Sequence, residues 1–161
     1  MTAPDLPATI AAVVDHELVI KKSRFLAHVA PVASPEEADA VIGAAVSQSA
    51  IQQGKSFAET LDHAPNLRDM ADIMPNWTAG GSLEIDVLHA DDEQLDFNVT
   101  RCRYAEMYRE MGLGRIGHLL SCNRDGDFCI GYNPAMKLTR TQSIMKGASH
   151  CDFRYRMEEQ D

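Results

Sequence analysis

The feature that most restricts what this chain can become is a change of hydrophobic period near residue 82. Before it, apolar residues recur every three to four positions, the repeat of a helix with one buried face. Ala38, Val41, Ile42, Ala45 and Val46 follow this rule after Ser34-Pro35-Glu36-Glu37, a start signal in which Ser34 can cap, Pro35 suits the first turn and Glu37 holds the capping-box position. Leu67, Met70, Ile73 and Met74 repeat the pattern behind Asn66, until Pro75 and Gly80-Gly81 interrupt it. A further helix is expected earlier, carrying Leu18, Phe25 and Leu26 and stopping before Pro31, behind a frayed start containing Pro4 and Pro7.

Beyond residue 82 the repeat shortens to two. Leu83, Ile85 and Val87 alternate with Glu84 and Asp86, and Leu95, Phe97 and Val99 with Asp96, Asn98 and Thr100. A turn at Asp91-Asp92 makes this a β-hairpin with one apolar face. Tyr104, Met107, Tyr108 and Met111 return to helical spacing up to Gly112, and Ile116, Leu119 and Leu120 suggest a short helix. Two strands close the chain, Leu138 to Met145 and the alternating Cys151, Phe153 and Tyr155, joined by a turn at Lys146-Gly147-Ala148-Ser149. The sum is an α+β fold in a single domain over residues 1–161: a helical N-terminal half, 1–78, packed on a roughly four-stranded antiparallel sheet within 82–157.

With 161 residues, 45% of them hydrophobic, one continuous core is expected. No run approaches the length a membrane helix needs, and Asp5 stands where a signal peptide wants positive charge, so the expected location is cytoplasmic and no membrane partner is expected. The net charge of -9, with Lys and Arg dispersed, argues against nucleic acid as a partner. A homo-oligomer is compatible with the hairpin and the methionines.

Four cysteines in such a chain are expected to be reduced thiols. Cys102 lies where a strand runs into a helix, on the face that alternation shares with Asn98 and Thr100. The helix dipole, with Arg101 and Arg103 alongside, is expected to lower its pKa and favour the thiolate, as a nucleophile or ligand requires; the plain alternative is a small buried thiol. Cys122 and Asp125 lie in Ser121–Asp127, which reads as a polar loop. Asp125 is either an acid, base or ligand, or a solvated turn carboxylate. Cys129, between Phe128 and Ile130, reads as core. Gly147 to Asp152 gathers His150, Cys151 and Asp152, although alternation sends Cys151 to the opposite face from the other two. The cysteine spacings are long and irregular, unlike those of a zinc finger or ribbon. No cofactor is therefore expected; a zinc, if held, would take Cys102, Cys122 and Cys151, with His150 or Asp125 as further candidates.

Asn98-Val-Thr-Arg-Cys102-Arg-Tyr-Ala-Glu, Leu120-Ser-Cys122-Asn-Arg-Asp125, Leu138-Thr-Arg-Thr-Gln-Ser-Ile-Met-Lys-Gly147 and His150-Cys-Asp-Phe-Arg-Tyr155 together resemble the L-2-amino-thiazoline-4-carboxylic acid hydrolase family, with Ser143 in place of an expected threonine. The resemblance implies hydrolytic opening of a small carboxylate-bearing heterocycle, in the namesake case a cyclic isothiourea opened towards carbamoyl-cysteine. It maps the family's cysteines onto Cys102, Cys122 and Cys151. On that reading Cys102 attacks the ring carbon, and His150, Asp125 or Asp152 supplies a proton, with histidine the side chain best suited near neutral pH. Arg140 or Arg154 holds the substrate carboxylate, and Asn98, Thr100 and Cys122 line the site. A weaker similarity, in the closing glycine, cysteine and aromatic residue, is to 4-vinyl-reductase-like domains. It implies the alternative of a small-molecule binding or sensing module, with a cysteine-bound zinc in some members.

Overall fold

In the computed structural model, which describes residues 18–22, 25–29 and 34–158, helices give way to sheet at the expected change of period. The expected frayed start lies outside the described residues. The chain divides into two units, Met1–Ala45 and Val46–Asp161.

In the first unit, β1 (Leu18–Lys22) and β2 (Phe25–Val29) form an antiparallel ribbon with Leu18 opposite Val29 and Lys22 opposite Phe25. This corrects the helix expected there. Val19, Ile20 and Val29 are β-branched and Phe25 is aromatic, types that favour extended backbone over helix. Helix α1 (Pro35–Ala58) then starts as its sequence signal requires, the Glu37 N–H donating to Ser34 Oγ at 3.2 Å.

The second unit contains the C-terminal part of α1, then α2 (Leu67–Ile73) and the short α3 (Pro75–Thr78). Asn66 caps α2 in a full capping box with Asp69. Strands β3 (Leu83–Ala90) and β4 (Gln94–Cys102) make the hairpin and lead into α4 (Arg103–Glu110), which ends at Gly112 with a positive φ of 72°. One π-helical turn (His118–Cys122) precedes α5 (Arg124–Tyr132), and β5 (Met136–Thr139) and β6 (Cys151–Met157) complete an antiparallel sheet of order β3-β4-β6-β5.

The α+β class expected from the sequence is what the structure shows. Strand β5 is shorter and earlier than expected: it stops at Thr139, and Ile144–Lys146 instead forms a 3₁₀ turn closed by Gly147 in the left-handed region. Ser143, 4% exposed, accepts the Lys146 N–H on its hydroxyl at 3.3 Å, which holds the turn.

One face of the sheet is apolar. Leu95, Phe97 and Val99 of β4 and Cys151, Phe153 and Tyr155 of β6 join Leu67 and Met70 of α2 and Phe128, Cys129 and Tyr132 of α5 in one core. Phe97 stacks on Phe153 with centroids 4.7 Å apart. Helices α1 and α5 cross backbone to backbone: a Cβ on Gly54 would stand 2.2 Å from the Phe128 carbonyl oxygen, and one on Gly131 would stand 1.9 Å from that of Ile51. This contact sets where α5, and everything it carries, lies over the sheet.

Candidate functional site

The position of Cys102 is decided by a β-bulge. Glu84 pairs with Arg101 and Ile85 with Val99, so Thr100 is an extra residue on β4. An inserted residue reverses the alternation beyond it. Cys102 therefore pairs with Leu83 and packs against the core, on the side of Val99. This corrects the face shared with Asn98 and Thr100 that uninterrupted alternation requires. Cys151, opposite Val99 on β6 and 5% exposed, points the same way.

Ser121–Asp127 is helical, not a polar loop. The Asn123 N–H closes the π turn on the His118 carbonyl at 3.0 Å, and α5 follows directly. Acidic Asp125 and Asp127 in its first turn suit the positive end of a helix, and Phe128, Cys129 and Tyr132 anchor its inner face. Such π turns often accompany functional positions, because they widen the backbone and re-aim a side chain. Here the turn carries Cys122.

Asp125 meets Arg140. An Arg140 Nη1–H donates to Asp125 Oδ2 at 2.5 Å, and Nη2–H to the Cys122 carbonyl at 3.0 Å. The guanidinium lies 5.0 Å from the Phe153 ring centroid, seated on the sheet. The Asp125 side chain is 33% accessible, yet so much protein surrounds it that burial raises its pKa to about 6, against the pull of Arg140 and Arg124. Its ion pair with Arg140 and its place in the first turn of α5 account for where it sits. This differs from a solvated turn carboxylate.

Three thiols share this surrounding. Burial raises the pKa of Cys102, outweighing the N–H groups of Ala105 and Tyr104 at the start of α4, and Asp125 and Glu106 raise it further. The lowering expected from the helix start and neighbouring arginines is thus overturned. Arg101 is engaged elsewhere, its Nε–H reaching Glu106 at 2.8 Å. Burial likewise pushes Cys122 up to about 12, with Asp125 adding to it, and raises Cys151, whose Sγ accepts the Ile144 N–H at 3.2 Å. Asp125 acts on all three thiols, and Cys102 in turn acts on both Cys122 and Cys151. Cys129 is 2% exposed and belongs to the core, as expected.

Sequence reasoning missed Tyr108, read only as part of an apolar helical face. Its phenol is raised chiefly by burial, then by Tyr104, with Cys122 and Cys102 also close enough to act on it. The available signal was its spacing: Tyr104 and Tyr108 stand four apart, on one side of the helix that Cys102 begins. Among the described residues no group of three or more His, Cys, Asp or Glu side chains could hold a metal ion.

The remaining expected positions lie elsewhere. Asn98 Oδ1 accepts from Arg154 at 3.0 Å on the polar face of the sheet, and Arg154 also donates to the Phe97 and Phe153 carbonyls. Thr100 donates to the Glu84 carbonyl, and His150 contacts Gln142 and Ser149. Burial acts to raise the Asp152 pKa, but donors from Thr141 and Gln142 prevail and hold it at about 2. Asp152 thereby pins the segment after β5. Arg140 thus joins Asp125 to the Cys122 backbone, with Cys102 and Cys151 near enough to act electrostatically, whereas the hydrogen bonds of Asn98, Thr100, His150 and Arg154 go to other residues.

Along α4, a groove of about 320 Å³ is lined by Ser82, Arg103, Tyr104, Glu106, Met107 and Glu110.

No curated protein matches the sequence. Among solved structures, the phenol-responsive sensory domain of the transcription activator PoxR, crystallised with phenol, is similar at 14% identity and a TM-score of 0.48, over 76% of this chain and 66% of that one. The chain thus spans just under two thirds of that protein's length. A sequence model described as L-2-amino-thiazoline-4-carboxylic acid hydrolase matches residues 13–155. The chain belongs to the L-2-amino-thiazoline-4-carboxylic acid hydrolase family.

Proposed function

We propose that this chain is a hydrolase that opens a small carboxylate-bearing heterocycle at a ring C–N or C–S bond, with Cys102 as nucleophile and Asp125 as proton carrier. Family membership supports the hydrolase reading. What supports the finer reading is the Asp125 carboxyl, raised by burial to about 6 and hydrogen-bonded to an Arg140 that also binds the Cys122 carbonyl. Acid-base catalysts work best when their pKa lies close to the working pH.

The thiol of Cys102 is protonated at neutral pH, so its deprotonation accompanies attack and does not precede it. Its sulfur adds to the ring carbon between nitrogen and sulfur as its proton passes to Asp125. The N–H groups of Tyr104 and Ala105 face developing negative charge near that sulfur. Collapse breaks the ring bond, and Asp125 returns the proton to the leaving atom. Water then cleaves the enzyme adduct, giving one proton to Asp125, which restores the thiol of Cys102. The net change is addition of one water to the ring. Arg140 keeps donors beyond those given to Asp125 and Cys122, and these can receive a substrate carboxylate.

The test is to incubate the protein with thiazolines, cyclic amidines and lactams and to follow the mass gain of one water. Cys102→Ser is expected to lower the rate by at least about a hundredfold. Activity is expected to survive exhaustive chelation, because the route needs no metal. Binding without conversion across the panel would replace this reading with that of a sensing module, and wild-type turnover in Cys102→Ser would remove the nucleophile.

A further inference from the structure

The 3₁₀ turn Ile144–Lys146 is held from several sides at once. Arg109, in the last turn of α4, donates through Nη2 to the Ile144 carbonyl, which also accepts the Gly147 N–H at 3.0 Å. The N–H of the same Ile144 is given to Cys151 Sγ at 3.2 Å. On another side, Met145 fits the space left by Gly117, where a Cβ would meet its sulfur at 2.5 Å. Met145 itself is 8% exposed. The backbone of one residue, Ile144, therefore touches both the Arg109 guanidinium and the Cys151 thiol.

Helix α4 has eight residues, with Cys102 as its N-cap and Arg109 in its last turn. A helix this short is about 12 Å long and moves as one piece. Fixing its far end against the 3₁₀ turn fixes its near end relative to the strand bearing Cys151. From this geometry we infer that Arg109 is a positioning residue, clamping α4 to the Ile144 turn so that Cys102 and Cys151 keep their relative placement. The inference deepens the hydrolase reading and rests on it for its catalytic consequence, although the clamp itself can be tested without substrate.

Three variants separate the possibilities. Arg109→Met keeps the aliphatic stem and removes the donor, Arg109→Lys restores a donor, and Arg109→Ala removes both. Alkylation of each cysteine by iodoacetamide, followed by peptide mass spectrometry, reads the clamp directly. Arg109→Met is expected to speed modification of Cys151 by about tenfold, the effect of losing roughly 1.4 kcal/mol of local closure. Cys129, buried in the core, serves as the internal reference and is expected to be unchanged. Arg109→Lys is expected to restore the slow rate. In turnover, Arg109→Met is expected to lower kcat about tenfold while KM stays within about twofold, since Arg140, which receives the substrate carboxylate, is untouched.

An unchanged Cys151 rate in both Arg109→Met and Arg109→Ala would overturn the clamp, as would an equal rise at Cys129. If Cys151 responds as expected but the wild-type protein opens no ring, the clamp stands and the hydrolase reading falls. If rings are opened and Cys151 does not respond, the reverse holds.

Discussion

Asp125 shows how far surroundings outweigh composition. A carboxyl preceding glycine is usually solvated, yet here it starts a helix, meets Arg140 at 2.5 Å and is raised to about 6. In the proposed reaction it must be ionised to accept the proton of Cys102. The kcat/KM of the wild-type protein is therefore expected to fall with unit slope on acidification below about pH 6. Asp125→Asn is expected to lose at least about a hundredfold in rate and to abolish that acid limb. A rate profile whose midpoint lies near 4, or one that persists in Asp125→Asn, would assign the proton to another group. Cys102 carries the complementary lesson. Its helix-start position alone argues for a thiolate, but burial opposes charge more strongly than two N–H groups favour it.

Among the elements, the α1–α5 crossing is the least tolerant of change. Gly131 has the Ile51 carbonyl where its Cβ would be, and backbone cannot swing aside as a flexible side chain can. Gly131→Ala is expected to destabilise by about 2–3 kcal/mol or to push α5 away from α1. Gly126 lies in the same helix with nothing within 4 Å of its Cβ position. Gly126→Ala is expected to stabilise by about 0.5–1 kcal/mol through helix propensity alone. Urea unfolding of the two variants checks both signs, and equal effects would mean that the crossing is not the constraint. The bulge at Thr100 works at the same scale. One extra residue turns Cys102 from the polar face to the core face, the face that Cys151 also occupies.

For the whole molecule, two aspartates push stability in opposite directions with pH. Asp152 is held at about 2, below the ordinary value near 4, because its folded carboxylate accepts donors from Thr141 and Gln142. Its contribution is present above about pH 4 and is lost as pH falls through about 2. Asp125, raised to about 6, contributes stability below about pH 4 that is lost as pH rises through about 6. Asp152→Asn is expected to flatten unfolding free energy against pH between about 2 and 4 and leave the slope between about 4 and 6 in place. Denaturant titrations across pH 2–7 test this; a wild-type slope retained below pH 4 in Asp152→Asn would contradict it. Among the described residues no helix is long and apolar enough to cross a membrane.

Period and punctuation in the sequence determined the helices beginning at Pro35 and Leu67, the hairpin, the helix after Cys102, the buried Cys129 and the α+β class. These rest on local preferences and on which side of a segment is apolar, both readable along the chain. The first ribbon departed from the reading because a short apolar run with β-branched residues satisfies either repeat. Tertiary structure alone decided that Cys102 turns inward at a bulge, that Asp125 pairs with Arg140, and that Asn98 and Arg154 bond to each other and His150 to Gln142. Bulges, helix crossings and desolvation arise from residues far apart in the chain, and the spacing of one segment carries no record of what will be packed against it.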